Sequence, residues 1–155
     1  MPNELNNYRL YYFIWMGNPT SLVIKCKPDE GHAVTDRKRI MEVLRQYIDV
    51  DSWFLDFSET YRAWMEEDDM EIYNINAPIN ASMIAAIVRA NKKLATEGLM
   101  LFYWFDRDRT GVEDDWEWTT DPIDGNPLTD LGPEFYDKCR LVCEKHFLVF
   151  PLKDA

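Results

Sequence analysis

Apolar side chains recur along the chain with two different periods. Tyr8 to Met16 (YRLYYFIWM) is apolar and aromatic on both faces, which predicts a central strand. Gly17-Asn18-Pro19-Thr20 supplies turn chemistry, and Ser21 to Lys27 (SLVIKCK) predicts the returning arm of a hairpin. Beyond Thr35, a candidate N-cap, the period changes. Ile40, Val43, Leu44, Tyr47 and Ile48 fall at i, i+3, i+4, i+7 and i+8, predicting a helix to about Ile48 that turns Arg37, Lys38, Arg39 and Arg45 to solvent. Asp51 to Phe57 (DSWFLDF) predicts a short strand. Ser58 then caps a helix on which Tyr61, Trp64 and Met65 share a face, and Met70 to Asn76 predicts another strand. A helix from Asn80 or Ser82 to Thr96 buries Met83, Ile84, Ile87, Val88 and Leu94, exposes Arg89, Lys92 and Lys93, and stops at Gly98. Leu99 to Phe105 (LMLFYWF) is unbroken apolar sequence, as a strand covered on both faces requires. Pro133 opens a last helix with Phe135, Cys139, Val142, Cys143 and His146 along one side, and Phe147 to Phe150 finishes as a strand. Strands interleaved with helices predict an α+β fold: a single mixed or antiparallel sheet with three or four helices packed mainly on one face. No repeat or linker divides the chain, so residues 1–155 are expected to form a single domain.

Composition narrows the class. With 155 residues, 46% of them hydrophobic and 14% aromatic, the chain can bury a core without disulfides or a structural metal. Three cysteines, an odd number, argue for a reducing, cytoplasmic setting, and no cofactor is expected. No apolar run approaches the roughly 20 residues that span a bilayer, and the N-terminus does not read as a secretory signal. The charge is the informative quantity. Seventeen Lys and Arg against 28 Asp and Glu give −11, a balance that repels nucleic acid and anionic lipid and attracts basic proteins. It is unevenly spread: residues 1–48 are net +2, and the rest of the chain is net −13.

Two zones concentrate the acid. Glu66-Glu67-Asp68-Asp69 follows a predicted helix, with Glu71 close behind. The second zone, residues 105–130, has no amphipathic period, contains Pro122 and Pro127, and holds nine acids against two arginines. A loop this long in a small domain points to function. Within it, Asp114, Asp115, Trp116, Glu117 and Trp118 set two indoles among carboxylates. Indoles supply desolvated contact area and carboxylates pair with Lys or Arg, so these residues, with Glu66 to Asp69 as a second contact, are the predicted binding site for a basic partner.

Two short motifs fall on the same loop. Asp106, Asp108, Thr110, Gly111 and Glu117 occupy positions 1, 3, 5, 6 and 12 of a pattern that resembles an EF-hand calcium loop. The apolar strand running into Asp106-x-Asp108-x-Thr110 resembles the first motif of haloacid-dehalogenase-type phosphatases. That resemblance implies Asp106 as nucleophile, Asp108 as acid/base and Mg²⁺ as charge neutraliser. Elsewhere, His32 sits in a loop beside Asp29 and Glu30, His146 reads as a hydrogen-bonded core residue, and Cys139 and Cys143 read as buried thiols. No nucleophile elbow or phosphate-cradling glycine loop is present.

In size, acidity, tryptophan content and lack of a catalytic set, the chain resembles bacterial toxin-immunity proteins and other small inhibitors. The resemblance implies stoichiometric occlusion of a toxin, nuclease or other basic effector rather than enzymatic activity. A phage-encoded nucleic-acid mimic that inhibits a CRISPR or other defence complex uses the same physics. A metal-dependent enzyme or calcium module centred on Asp106 and Asp108 is the alternative from a different class. Oligomeric state stays open.

Overall fold

The structure, a computed structural model, describes residues 10–15, 20–26, 37–108, 117–132 and 141–152. Strands β1 (Leu10–Trp15) and β2 (Thr20–Cys26) form an antiparallel hairpin. Helices α1 (Arg37–Arg45), α2 (Val50–Glu67) and α3 (Pro78–Leu94) follow, then β3 (Leu99–Phe105), β4 (Thr129–Asp130), β5 (Leu141–Cys143) and β6 (Leu148–Phe150). The strands make one mixed sheet ordered β1-β2-β3-β6-β5-β4, in which β3 runs antiparallel to β2 and parallel to β6. This is the expected α+β architecture. Among the described residues no helix is long and apolar enough to cross a membrane.

Strand alternation divides the interior in two. Leu22 and Ile24 of β2, Leu99, Leu101, Tyr103 and Phe105 of β3, and Leu148 and Phe150 of β6 face the helices. They meet Ile40 and Leu44 of α1, Trp53 and Phe57 of α2, and Ile84, Ile87 and Leu94 of α3. The intervening residues Met100, Phe102, Val142 and Val149 form a second, smaller core with Leu131 on the opposite face. Strand β3 is therefore apolar at successive positions because both of its faces are covered.

Buried polar side chains fix how α3 sits on the sheet. Strand β6 pairs with β3 at Tyr103 and Trp104. Farther back along that edge, Asn91 stands in for a strand: its Nδ2 donates to the Leu101 carbonyl (3.0 Å) and its Oδ1 accepts from the Leu101 amide (2.9 Å). Asn80 accepts from the Tyr103 hydroxyl (2.6 Å) and donates to the carbonyls of Ile72 (3.1 Å) and Asn74 (2.8 Å). Both asparagines are buried, and their bonds replace the water they gave up.

Several expectations are corrected. Residues 51–57 are helix rather than strand. A two-residue period places Leu55 with Trp53 and Phe57, yet Leu55 is 74% exposed while the other two are buried. The helical spacing of Val50, Trp53 and Phe57 prevails, and Asp49 caps it by accepting from the Ser52 amide (3.1 Å). Ser58 is then interior to α2, donating to the Phe54 carbonyl, and caps nothing. Met65 faces solvent. The expected strand at 70–76 is a 3₁₀ turn, Glu71–Tyr73, because Asp69 and Asn74 accept from amides two residues on and bend the backbone.

Among the described residues strand β1 lies at the sheet edge, not its centre; apolarity on both faces reports what lies above and below a strand and says nothing of pairing. Helix α1 stops at Arg45, and Tyr47 keeps 37% of its surface exposed. Helix α3 starts earlier than expected, with Pro78 in its first turn, and Gly98 (φ +72°) closes the chain after it in the left-handed region. Residues 141–143 are strand, so Val142 and Cys143 point to opposite faces instead of sharing a helical stripe. Thr35, residues 17–19 of the turn before β2, His32, and the segment 133–140 with Phe135 and Cys139 lie outside the described residues, while Thr20 is the first residue of β2.

Candidate functional site

The end of β3 delivers Asp106 and Asp108 into the long loop. Asp106 is held from both directions: its Oδ1 accepts from the Arg107 amide (2.9 Å) and from the Trp118 indole Nε1 (3.2 Å). The Trp118 ring lies 4.6 Å from that of Phe150 and meets Phe105 edge-on at 6.3 Å. This indole pins the loop to the sheet. Glu117 beside it is exposed. Asp114, Asp115 and Trp116, as well as Thr110 and Gly111 of the cation motifs, lie outside the described residues.

Past Trp118 the acids become turn formers. Thr120 bridges to Pro127, and within that bend Asp121 Oδ1 accepts from the Ile123 amide (2.7 Å) while Asp124 Oδ1 accepts from the Asn126 amide (2.9 Å). Asp130 does the same for Gly132 (2.8 Å), and Gly125 (φ +77°) and Gly132 (φ +80°) take the left-handed backbone these bends need. The bend carries Asp121 inward until it is 1% exposed. There it meets the β5–β6 hairpin, whose turn, Glu144 to Phe147, presents His146. Asp121 Oδ2 lies 2.7 Å from His146 Nδ1, and Cys143 Sγ lies 3.4 Å from the same nitrogen.

Sequence reasoning missed this cluster. The spacing Cys143-x-x-His146 was visible, but its partner stands more than twenty residues upstream in a loop. Burial raises the Asp121 carboxyl, yet hydrogen bonds from Cys143, the Ile123 amide and His146 outweigh it and hold the group below the usual carboxylate range. Burial, then the bond to Asp121, pushes the Cys143 thiol up to about 12. A thiol held protonated at neutral pH is a poor nucleophile. Both partners also approach one ring nitrogen, whereas a relay needs one on each. The group is not arranged as a Cys-His-Asp catalytic triad.

The second acidic zone is built differently. From Val50 to Glu71 the chain holds eight acids and one arginine, Arg62. Arg62 sits among Glu59, Glu66 (2.8 Å) and Glu67 (3.7 Å), and Arg45 of α1 takes Asp51 (3.0 Å). The Glu59 hydrogen bond leads the causes that raise the guanidinium of Arg62, and Arg62 in turn lowers Glu59. Asp68 closes α2 in the left-handed region, and Asp69 accepts from the Glu71 amide at the start of the next turn. Between α2 and α3 runs an open groove of about 470 Å³. Its floor is Trp53, Ile79 and Met83; Asp49, Asp56 and Glu71 stand along it. Among the described residues no cation pairs with Asp56 or Glu71.

The two zones approach each other at Tyr73. Its ring packs edge-on against Trp64 of α2 at 5.4 Å, and its hydroxyl is raised first by burial and then by the charges of Asp108 and Asp106. Tyr73 thus packs on α2 and feels the charge at the exit of β3. No protein-family model matches the chain, and no curated protein or solved structure does either.

Proposed function

We propose that this chain is an acidic binding protein of the inhibitor or immunity type, which occludes a basic protein partner such as a toxin or nuclease in the cytoplasm. The observation that carries the reading is the acidic groove between α2 and α3. Its apolar floor suits the aliphatic stem of a Lys or Arg, and its carboxylates suit the charged head. Glu66, Glu67, Asp68 and Asp69 extend the same negative field along α2, and Asp106 and Asp108 extend it past Tyr73. Leu55, 74% exposed on α2, adds apolar contact area. As the sequence pattern suggests, Asp114, Asp115, Trp116, Glu117 and Trp118 offer a basic partner further carboxylates and indoles, the carboxylates taking the part that phosphates play in a polyanionic substrate.

The tagged full-length chain, used as bait in lysate of its native host, is expected to capture a basic protein. Once purified, that protein should lose its activity at a one-to-one ratio with the chain. The triple reversal Asp56→Lys, Glu66→Lys, Glu67→Lys should abolish both capture and inhibition. Unchanged affinity for the reversed variant would exclude α2 as the interface.

A further inference from the structure

We propose that Asp121, Cys143 and His146, with Asp124 completing the set, form a binding site for one borderline divalent cation of the Zn²⁺ class. The carboxylate, thiol and imidazole donor atoms lie within 4.8 Å of one another. Bonds of about 2.0–2.3 Å in a tetrahedral zinc site put neighbouring donors about 3.3–3.8 Å apart. The 3.4 Å between Cys143 Sγ and His146 Nδ1 already meets that spacing. The 2.7 Å between Asp121 Oδ2 and the same nitrogen has to open by about 0.6 Å to reach the lower end of it.

The donors come in two pairs, Asp121-x-x-Asp124 within a tight turn and Cys143-x-x-His146 leading from the end of β5 into one. Two-residue spacers in turns are how structural zinc sites present their ligands. Asp124 Oδ2 stands 4.0 Å from His146 Nδ1, and its ion-pair partner Lys145, 70% exposed, is free to swing into water. The supporting contacts are in place as well. The Ile123 amide occupies Asp121 Oδ1 and leaves Oδ2 aimed at the cluster. A sulfur, a nitrogen and oxygens together select zinc-like ions over Ca²⁺ and Mg²⁺, which take oxygen alone.

The proton balance closes. Without a cation, the Asp121 carboxylate receives both the thiol hydrogen of Cys143 and the Nδ1 hydrogen of His146. The ion takes the place of both: the thiol proton leaves to solvent, and the Nδ1 proton leaves as well while Nε2 takes one up, so that the neutral imidazole binds through Nδ1 as its Nε2–H tautomer. The resulting thiolate and carboxylate offset the dication. Such a site would rivet the 117–132 segment to the β5–β6 hairpin, independently of any partner.

Co²⁺ added to the full-length, metal-stripped chain is the test. One equivalent should produce visible d–d bands of tetrahedral strength and a near-ultraviolet thiolate charge-transfer band, and Zn²⁺ should displace it. Cys143→Ser should remove the charge-transfer band. His146→Gln, at the more accessible ligand, should weaken Co²⁺ binding at least about 100-fold and Asp124→Asn about 10-fold. Glu42→Gln, on the exposed face of α1, should change nothing. Folded wild-type chain that gives no thiolate band, or a band that survives Cys143→Ser, overturns the proposal and leaves a purely proton-bridged cluster.

Discussion

The two acidic zones carry similar charge and use it in opposite ways. In the 117–132 segment, Asp121, Asp124 and Asp130 accept from backbone amides two residues on, and Asp121 is drawn into the interior against His146. Asp106, at the loop's start, is tied up by an indole. On α2 the carboxylates stand on an exposed helical face with Arg62 as the one cation of that helix. Side-chain length explains much of the difference. Aspartate is short enough to bond its own backbone and so becomes part of a turn, whereas Glu59, Glu66 and Glu67 reach outward. A count of negative charge measures neither role. In the described 117–132 segment the aspartates shape the backbone; on α2 the glutamates stay exposed.

That contrast can be broken by substitution, and the largest effect belongs to the loop. Trp118→Ala removes the ring packed on Phe150 and Phe105, and urea unfolding should show a loss of about 2–4 kcal/mol. A loss under about 1 kcal/mol would mean the loop is not pinned. Asp121→Ala, measured with a chelator present, should cost about 1–3 kcal/mol by stripping the Ile123 amide, Cys143 and His146 of their acceptor. Asp130→Ala loses a single exposed turn bond and should cost about 0.5 kcal/mol in the same assay. At the small end, Glu66→Lys with Glu67→Lys should leave the unfolding midpoint in place, because these pairs are solvent-screened. A marked loss of stability there would show that α2 also uses its acid structurally.

What the sequence revealed follows the same division. Strand β3, the first hairpin, α1 and α3 were legible because burial imposes a simple period on each. Residues 50–57 misled because aromatic density resembles a strand, and the exposed Leu55 that breaks the alternation cannot be recognised as exposed from its identity. The last hairpin misled because Val142, Cys143 and His146 also fit a helical stripe, and the turn that ends β5 contains no glycine or proline. The loop was recognised as significant. The packing of Trp118 was not, since an indole beside carboxylates is compatible with an outward anchor and with one bonded back to Asp106. The Asp121–His146 contact depends on tertiary folding of two separate turns, and the groove on the packing of two helices. Neither has a local signature.

The association rate of the purified partner, followed across a range of ionic strength, tests the central claim most directly. For the wild-type chain the rate should fall steeply as salt rises, since exposed carboxylates on α2 steer the encounter. The Asp56→Lys, Glu66→Lys, Glu67→Lys variant should associate at least about 10-fold more slowly at low salt and show a flat salt dependence. A reversed variant that keeps the wild-type rate and slope would place the contact elsewhere and contradict the account.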